Sequence, residues 1–356
     1  MSVLSALSRP QLAVLPMLRR EPLTRQELAS RLGVSHSSIS RLLDGLLCRQ
    51  LLVEEVNHRG RPGRPAAVLR PRPDVGYGVG IDVGAMHSRY VVCDFLGSIV
   101  SRHQELTRQF RDNRDFGDYI CDLGARALAS VYARRDRVLG VVASISGVVD
   151  TTRGICLFCP NIRGPVDLPV AAILERSLGY PTTIEDPART QALAEHLYGV
   201  ARGHNDFLYI HIGIGVGGGI VLGGRLQHGS IGIAGEIGHI VVGENGPRCN
   251  CGNRGCLEAY VSGPALMRRA KEGLDRGIYS RLSTVAGRDG SNLTVEAISQ
   301  AAIEGDKLAF HIVDEAGERL GAAIATAVNL LGCPLVVIGG GVSNLCDVFY
   351  QAAERS

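Results

Sequence analysis

No apolar run in this 356-residue chain is both long and unbroken. Phe207–Gly224 carries no charge but contains seven glycines and His211, and Leu320–Cys346 is interrupted by Asn329, Gly332 and Pro334. Neither reads as a membrane-spanning helix; the second reads as a buried helix, a short buried strand at Leu335–Ile338 and a glycine turn. A secretory leader pattern is also missing, which points to the cytoplasm. Lysine is scarce: Lys271 and Lys307 are the two among 38 basic residues, a bias with no functional implication of its own. What remains is an ordinary globular composition, 45% hydrophobic and 21% charged, at a length that suggests two or three domains. Three of the ten cysteines fall in one short loop; the other seven are expected to be reduced and mostly buried.

The net charge of +3 is unevenly spread. Residues 1–73 hold 12 Arg against five acids, a surplus of seven, which leaves the remainder at −4. A basic head on an acidic body suggests a nucleic-acid-binding module joined to something else. In the head, Thr24-Arg25-Gln26-Glu27 has the form of a capping box. Leu28, Ala29 and Leu32 supply the inward face of a short helix, Gly33 a turn, and Ser35 a cap for a second helix. There Ile39, Leu42, Leu43 and Leu46 face inward. Two short helices joined this way make a helix-turn-helix. The outward residues His36, Ser37, Ser38, Ser40 and Arg41, with Ser35, are small, hydrogen-bonding or cationic, as a helix in the major groove requires; small helical bundles use them too. Leu51–Val56 and Ala66–Leu69 read as a hairpin. The loop between them carries Arg59, Arg61 and Arg64 among Gly and Pro, suited to a minor groove or to phosphates, with a solvated linker as the alternative. Helices at about 10–19, 25–32 and 36–48 complete a winged helix-turn-helix over 1–75.

The body is expected to mix strands and helices, the α/β class. Tyr77–Val83 and Arg89–Asp94 form a hairpin on this reading, and Leu139–Ile145 and Pro181–Glu185 are buried strands. A helix covers Thr190–Tyr198, and Phe207–Ile212 pairs with Gly218–Leu222. Glycines at such turns let a phosphate approach the backbone, and they suit plain hairpins equally. The most informative stretch is Gly235-Glu236-Ile237-Gly238-His239 with Cys249, Cys251 and Cys256. A spacing of H-x9-C-x-C-x4-C fits a four-coordinate zinc with N and S ligands. Two carboxylates that the metal does not need, Glu236 and Glu258, flank it.

Ala234–Ser262, AGEIGHIVVGENGPRCNCGNRGCLEAYVS, with weaker matches at Gly80–Gly97, Ile145–Asp150, Cys159-Pro160-Asn161, Ile184–Glu195 and Gly339–Gly341, resembles the ROK family. That group joins bacterial repressors, among them xylose- and N-acetylglucosamine-repressor types, with sugar kinases. The resemblance covers nearly everything after residue 76. It implies a two-lobed actin/hexokinase-like (ribonuclease H-like) domain behind the head, with a first lobe at 76–187. The second lobe, 188–356, carries the zinc site and a C-terminal return towards the first. It also implies that His239, Cys249, Cys251 and Cys256 hold zinc, and that Asn161, Glu236, His239 and Glu258 line a sugar pocket, with Asp186 where specificity is felt. Carboxylates each accept two hydroxyl hydrogen bonds, which suits a sugar.

Kinases of the family take the proton of the attacking hydroxyl with the Asp of an Asn-Asp pair; the aligned residues here are Asp186-Pro187, and Pro187 has no ionisable group. The first phosphate turn carries Met86 where the family has Thr, and the second carries Ile214 between Gly213 and Gly215, again where Thr is usual. Each change removes a side-chain hydroxyl that could bond a phosphoryl group. With the head, these departures imply no catalytic residues and a sugar-responsive regulator, a repressor by this reading. It is expected to work as a homodimer or homotetramer on pseudo-palindromic operator DNA, with a monosaccharide or sugar phosphate as effector and no membrane insertion. The alternative is a sugar kinase that also carries a DNA-binding head.

Overall fold

In the head, Thr24 ends its extended segment by capping a helix. Its hydroxyl accepts the Glu27 N–H at 3.2 Å, and Glu27 Oε2 accepts the Thr24 N–H at 2.7 Å. This is the reciprocal box read from the sequence. The computed structural model describes residues 7–56, 67–230, 232–287 and 290–356. The head contains α1 (Arg9–Arg20), β1 (Leu23–Thr24), α2 (Arg25–Leu32), α3 (His36–Cys48), β2 (Leu52–Val56) and β3 (Ala67–Pro71). The three helices fall at the expected positions. The hairpin is present with β3 ending two residues later than expected, and β1 adds a strand that sequence reading missed by pairing with β3. Val14, Leu15, Leu28, Ile39, Leu43, Leu46 and Leu69 are buried together in one core.

The chain packs as two units, residues 1–144 with 169–184, and residues 145–168 with 185–356. It therefore crosses between them near residues 145, 169 and 185, so the segment 76–187 is shared between the units. In the first unit, β4 (Tyr77–Val83), β5 (His87–Asp94) and β6 (Ile99–Leu106) form an antiparallel meander, followed by α4 (Asn113–Ala129) and β7 (Val138–Ile145). Three short strands, β8 (Val148–Asp150), β9 (Ile155–Phe158) and β10 (Val166–Leu168), pair among themselves and belong to the second unit. The chain then returns with α5 (Val170–Leu178) and β11 (Thr182–Glu185), which closes a five-stranded sheet of order β11-β7-β4-β5-β6. Helix α4 lays Phe116, Ile120 and Leu123 on this sheet. The head is joined to it: Phe95, in the β5–β6 turn, packs against the head core, and its N–H donates to Pro73 O at 3.0 Å.

The second unit continues with α6 (Pro187–Tyr198), β12 (Phe207–Ile212), β13 (Val216–Leu222) and β14 (Arg225–Leu226). Next come α7 (Glu258–Val261), α8 (Gly263–Asp275), α9 (Leu282–Val285), α10 (Val295–Ile303), α11 (Lys307–Leu331), β15 (Val336–Gly339) and α12 (Asp347–Arg355). Its sheet runs β14-β13-β12-β15, with β15 parallel to β12. Two differences from the sequence reading have local causes. Helix α6 begins at Pro187, three residues earlier than expected, because Pro fits the first helical position and Asp186 caps it. The glycines of β13 answer to packing: a Cβ on Gly219 would lie 2.4 Å from the Ala192 Cβ, so only glycine lets α6 seat on the strand. Helix α11 runs through the core formed with α8, α10 and α12. Among the described residues no helix is long and apolar enough to cross a membrane.

Candidate functional site

The residues singled out around His239 are set by a segment pressed flat on β13. Gly235 has φ +95, and a Cβ on it would stand 2.2 Å from Gly218 O; a Cβ on Gly238 would stand 2.1 Å from Val216 O. Glycine is therefore required at both positions, and the resulting contact lays Glu236 and His239 beside the start of β13. The other end of the site is brought in by a bridge between Val241 and Cys256 and by the Leu257 N–H, which donates to Ile240 O at 2.9 Å. The loop between turns tightly, with the Cys249 N–H donating to Asn253 O and the Gly252 N–H to Cys249 O.

This folding places one ligand atom each of His239, Cys249, Cys251 and Cys256 within 4.8 Å of one another. Cys249 and Cys256 are buried, Cys251 is exposed, and none of the three is in a disulfide. Cys251 and Cys256 sulfurs lie 3.7 Å apart, and Cys249 Sγ lies 3.7 Å from His239 Nδ1. Metal–sulfur bonds of about 2.3 Å and metal–nitrogen bonds of about 2.0 Å give tetrahedral edges of roughly 3.8 and 3.6 Å. The four groups are thus spaced to hold a metal ion. His239 turns Nδ1 to the sulfurs and Nε2 towards Glu236, 3.9 Å from its Oε2. One imidazole therefore faces both groups.

Glu258 begins α7, two residues after Cys256. Its Oε2 accepts the Val216 N–H at 3.0 Å, and the Cys249 thiol approaches its Oε1 at 3.6 Å. Asn161 comes to the same place from beyond β9. Its Oδ1 accepts from Asn250 Nδ2 at 3.4 Å. A Cβ on Gly215 would lie 2.9 Å from Glu258 Oε2 and 3.6 Å from Asn161 Nδ2, so these two side chains flank Gly215. The structure thus brings Asn161, Glu236, His239 and Glu258 into one locality. Asp186 Oδ1 accepts the N–H groups of Ala188 and Arg189 at 2.8 and 3.2 Å, so one of its oxygens is committed to the cap of α6. Burial pushes its carboxyl up to about 6, against the nearby Arg189 charge, and Glu236 adds to the rise. Burial likewise raises Glu236, opposed by His239 and Arg189.

Sequence reading missed Arg189, Glu185, His228 and Asn250. Arg189 is 2% exposed. Its Nε lies 2.6 Å from Glu185 Oε1, and its Nη1 donates to the carbonyls of Gly232 and Ala234 at 2.8 and 3.3 Å. Glu185 Oε2 is 2.6 Å from His228 Nε2. The spacing of Glu185 and Arg189, four residues apart across the start of a helix, is the one sequence signal that would have found the pair.

In the head, Ser35 caps α3, accepting the Ser38 N–H at 3.2 Å, and its hydroxyl is shared with those of Ser37 and Ser38. His36, Ser37, Ser38 and Arg41 are exposed and Ser40 is half-buried. Arg25, which sequence reading did not single out, is tied to Asp44 and Glu54. Arg59, Arg61 and Arg64 lie outside the described residues.

Residues 78–356 match the model of the ROK family, and residues 7–61 that of the MarR family. A putative xylose repressor of Caldicellulosiruptor sp. (strain Rt8B.4) is 27% identical over 95% of this chain and 84% of its own length. A glucokinase of Halalkalibacterium halodurans is 34% identical over 78% of this chain and 84% of its own length. Among solved structures, a ROK family transcriptional regulator, described as a homologue of the E. coli Mlc protein, superposes with a TM-score of 0.83. It is 27% identical, over 97% of this chain and 86% of that one. The fold is accordingly a MarR-type winged helix followed by an actin/hexokinase-like domain.

Proposed function

Since the chain belongs to the ROK family, we propose that it is a DNA-binding transcriptional repressor that responds to a monosaccharide or a sugar phosphate and has no kinase activity. The observation that carries the choice of regulator over kinase is the start of α6. Pro187 occupies the first helical position, where the kinases of the family carry the base, and Asp186 is engaged as the helix cap. No carboxylate is left at the position from which a hydroxyl proton is taken. Met86 and Ile214 also leave the phosphate turns without two hydroxyls. The division of labour follows: 1–75 binds operator DNA, and 76–356 is the sugar-sensing body, in which segment 76–187 contributes to both units and 188–356 to the second alone.

Zinc suits the His239, Cys249, Cys251 and Cys256 set, since three sulfurs and one imidazole nitrogen at tetrahedral spacing favour it over oxygen-seeking cations. Four protein ligands leave no position for a reacting water, so its role is structural. It would fix the loop carrying Glu258 and hold the His239 ring with Nε2 turned to Glu236. Asn161, Asp186, Glu236, His239 and Glu258 then supply donors and acceptors for sugar hydroxyls. In the head, Ser35 at the cap of α3 and His36, Ser37, Ser38, Ser40 and Arg41 on it read the major groove, and Arg59, Arg61 and Arg64 grip the backbone. A homodimer or homotetramer matches a pseudo-palindromic operator, and the site of action is the cytoplasm.

The likeness to glucokinases favours a second reading, a kinase with a DNA-binding head. One experiment separates the two. Fluorescence anisotropy on the DNA upstream of the protein's own gene, with D-xylose, D-glucose and N-acetylglucosamine as effectors, is expected to show binding that one sugar weakens about tenfold. A coupled ADP-release assay with the same sugars is expected to show no turnover. Sugar-dependent turnover that Asp186→Ala abolishes would overturn the proposal.

A further inference from the structure

Outside the His239–Cys256 cluster, a second pair of thiols lies close together. The sulfurs of Cys156 and Cys159 are 3.4 Å apart. Cys156 is fully buried in β9, paired with Val149 of β8 on one side and Leu168 of β10 on the other. Cys159 follows the end of the strand and is partly exposed. Two residues further on is Asn161, whose side chain, like that of Glu258, lies beside Gly215. A disulfide brings its sulfurs to about 2.0 Å, so closure requires an approach of about 1.4 Å. Cys156 is held in register by strands on both sides, so the movement falls to Cys159 and the residues after it. There is no slack beneath them: a Cβ on Gly147 would stand 2.7 Å from the Cys159 sulfur and 2.5 Å from Phe158 O.

We propose that Cys156 and Cys159 are a redox-active dithiol that a peroxide converts to a disulfide, and that closing it draws Asn161 away from Gly215 and Glu258. In the first step the Cys159 thiolate attacks hydrogen peroxide: an S–O bond forms, the O–O bond breaks, and the departing hydroxide takes a proton to become water. The Cys156 sulfur then attacks the Cys159 sulfenic acid. An S–S bond forms, the S–O bond breaks, and the hydroxide leaves with the Cys156 proton as a second water. Two thiols are oxidised and one peroxide is reduced to two waters. The hydrogen bond to Cys156, and then burial, hold the Cys159 thiol well above its ordinary pKa, so the first step is slow at neutral pH and quickens as pH rises. The consequence for sugar binding rests on the function proposed above; the dithiol does not.

The test uses the full chain loaded with zinc. It is treated with hydrogen peroxide, then assayed by peptide mass mapping, metal content, and calorimetry with D-xylose and D-glucose. The expected result is a Cys156–Cys159 bridge, lighter by two hydrogens, formed before zinc is lost. Affinity for the sugar that binds the reduced protein falls about tenfold, the scale of one or two lost hydrogen bonds, and returns with dithiothreitol. Cys159→Ser, at the partly exposed position, keeps sugar affinity and no longer responds to peroxide; Cys156→Ala does the same in the buried position. Failure to form the bridge while other thiols oxidise overturns the dithiol, and a bridge that leaves sugar affinity unchanged overturns its link to Asn161. If the reduced protein binds neither sugar, these two are not its effectors, and formation of the bridge alone decides the dithiol.

Discussion

The Arg189 guanidinium and the Glu185 carboxylate meet at 2.6 Å in the interior, with 2% and 14% of their side chains exposed. The same guanidinium donates to the carbonyls of Gly232 and Ala234, which lead directly into Glu236. Arg189 therefore pins the stretch that delivers a candidate sugar ligand, and its charge also faces Asp186 and Glu236. The candidate site is built on a buried ion pair set behind it.

Removing one partner of such a pair leaves the other charge buried. Arg189→Met is expected to lower stability by about 3 kcal/mol, less than a fully isolated pair because Glu185 keeps His228. Arg189→Lys recovers part of the loss, since a single ammonium cannot serve Glu185 and two carbonyls with a planar fork. Urea midpoints measure both. A Met variant within about 0.5 kcal/mol of the parent removes the pair from the account of the site.

Why Arg189 escaped sequence reading while His239 did not is a matter of range. Metal-type residues at short spacing advertise themselves, because the chemistry fixes which residues can serve. The caps of α2 and α3 are legible for the same reason: donor and acceptor lie three residues apart. The Arg189 network joins residues 43 and 45 positions apart, and only the seating of α6 on β13 brings them together. The small β8-β9-β10 sheet was likewise hidden, because strands of three and four residues carry too little periodicity to register. The start of α6 is legible in principle, since Asp-Pro marks a capped first turn, and it lies three residues before the expected one.

Asp186 gives the site a pH dependence. Its carboxyl is pushed up to about 6 in the folded protein, chiefly by burial. For an acid whose folded pKa is raised, the stabilising contribution is complete below the unfolded pKa of about 4 and is lost as pH rises through about 6. Asp186→Asn keeps a good cap and cannot ionise. The difference in thermal midpoint between parent and variant is expected to change between pH 4 and 7, with Asn relatively more stable at the high end. Sugar affinity of the parent, followed by calorimetry, should show a step near pH 6 that the variant lacks. A pH-independent difference in both measurements would mean that Asp186 stays ionised throughout.

Zinc removal should act on the sugar through position, not contact. Cys251 is the exposed cysteine of the set, so Cys251→Ser disturbs packing least. Metal content is expected to drop from about one per chain towards zero, with loss of several degrees in the thermal midpoint. Sugar binding should vanish with the metal and return when zinc is restored to chelated parent protein. Full sugar affinity in the metal-free protein would detach Glu258 from the effector site.

The head separates stability from recognition at neighbouring residues. The Ser35 hydroxyl accepts the Ser38 N–H and is tied to two other hydroxyls. Ser35→Ala should therefore lower the stability of the head by about 1 kcal/mol, the usual effect of a lost cap. Arg41 is exposed on α3 six residues further on. If it grips a phosphate, Arg41→Ala weakens all DNA sequences alike and lowers the salt slope of log affinity by about one; if it reads a guanine, it costs about 1–3 kcal/mol on the operator alone. Anisotropy titrations at several salt concentrations, on operator and on unrelated DNA, distinguish the two. An Arg41→Ala variant with unchanged affinity on both would place the contact surface elsewhere on the head, since Arg25 is already held by Asp44 and Glu54.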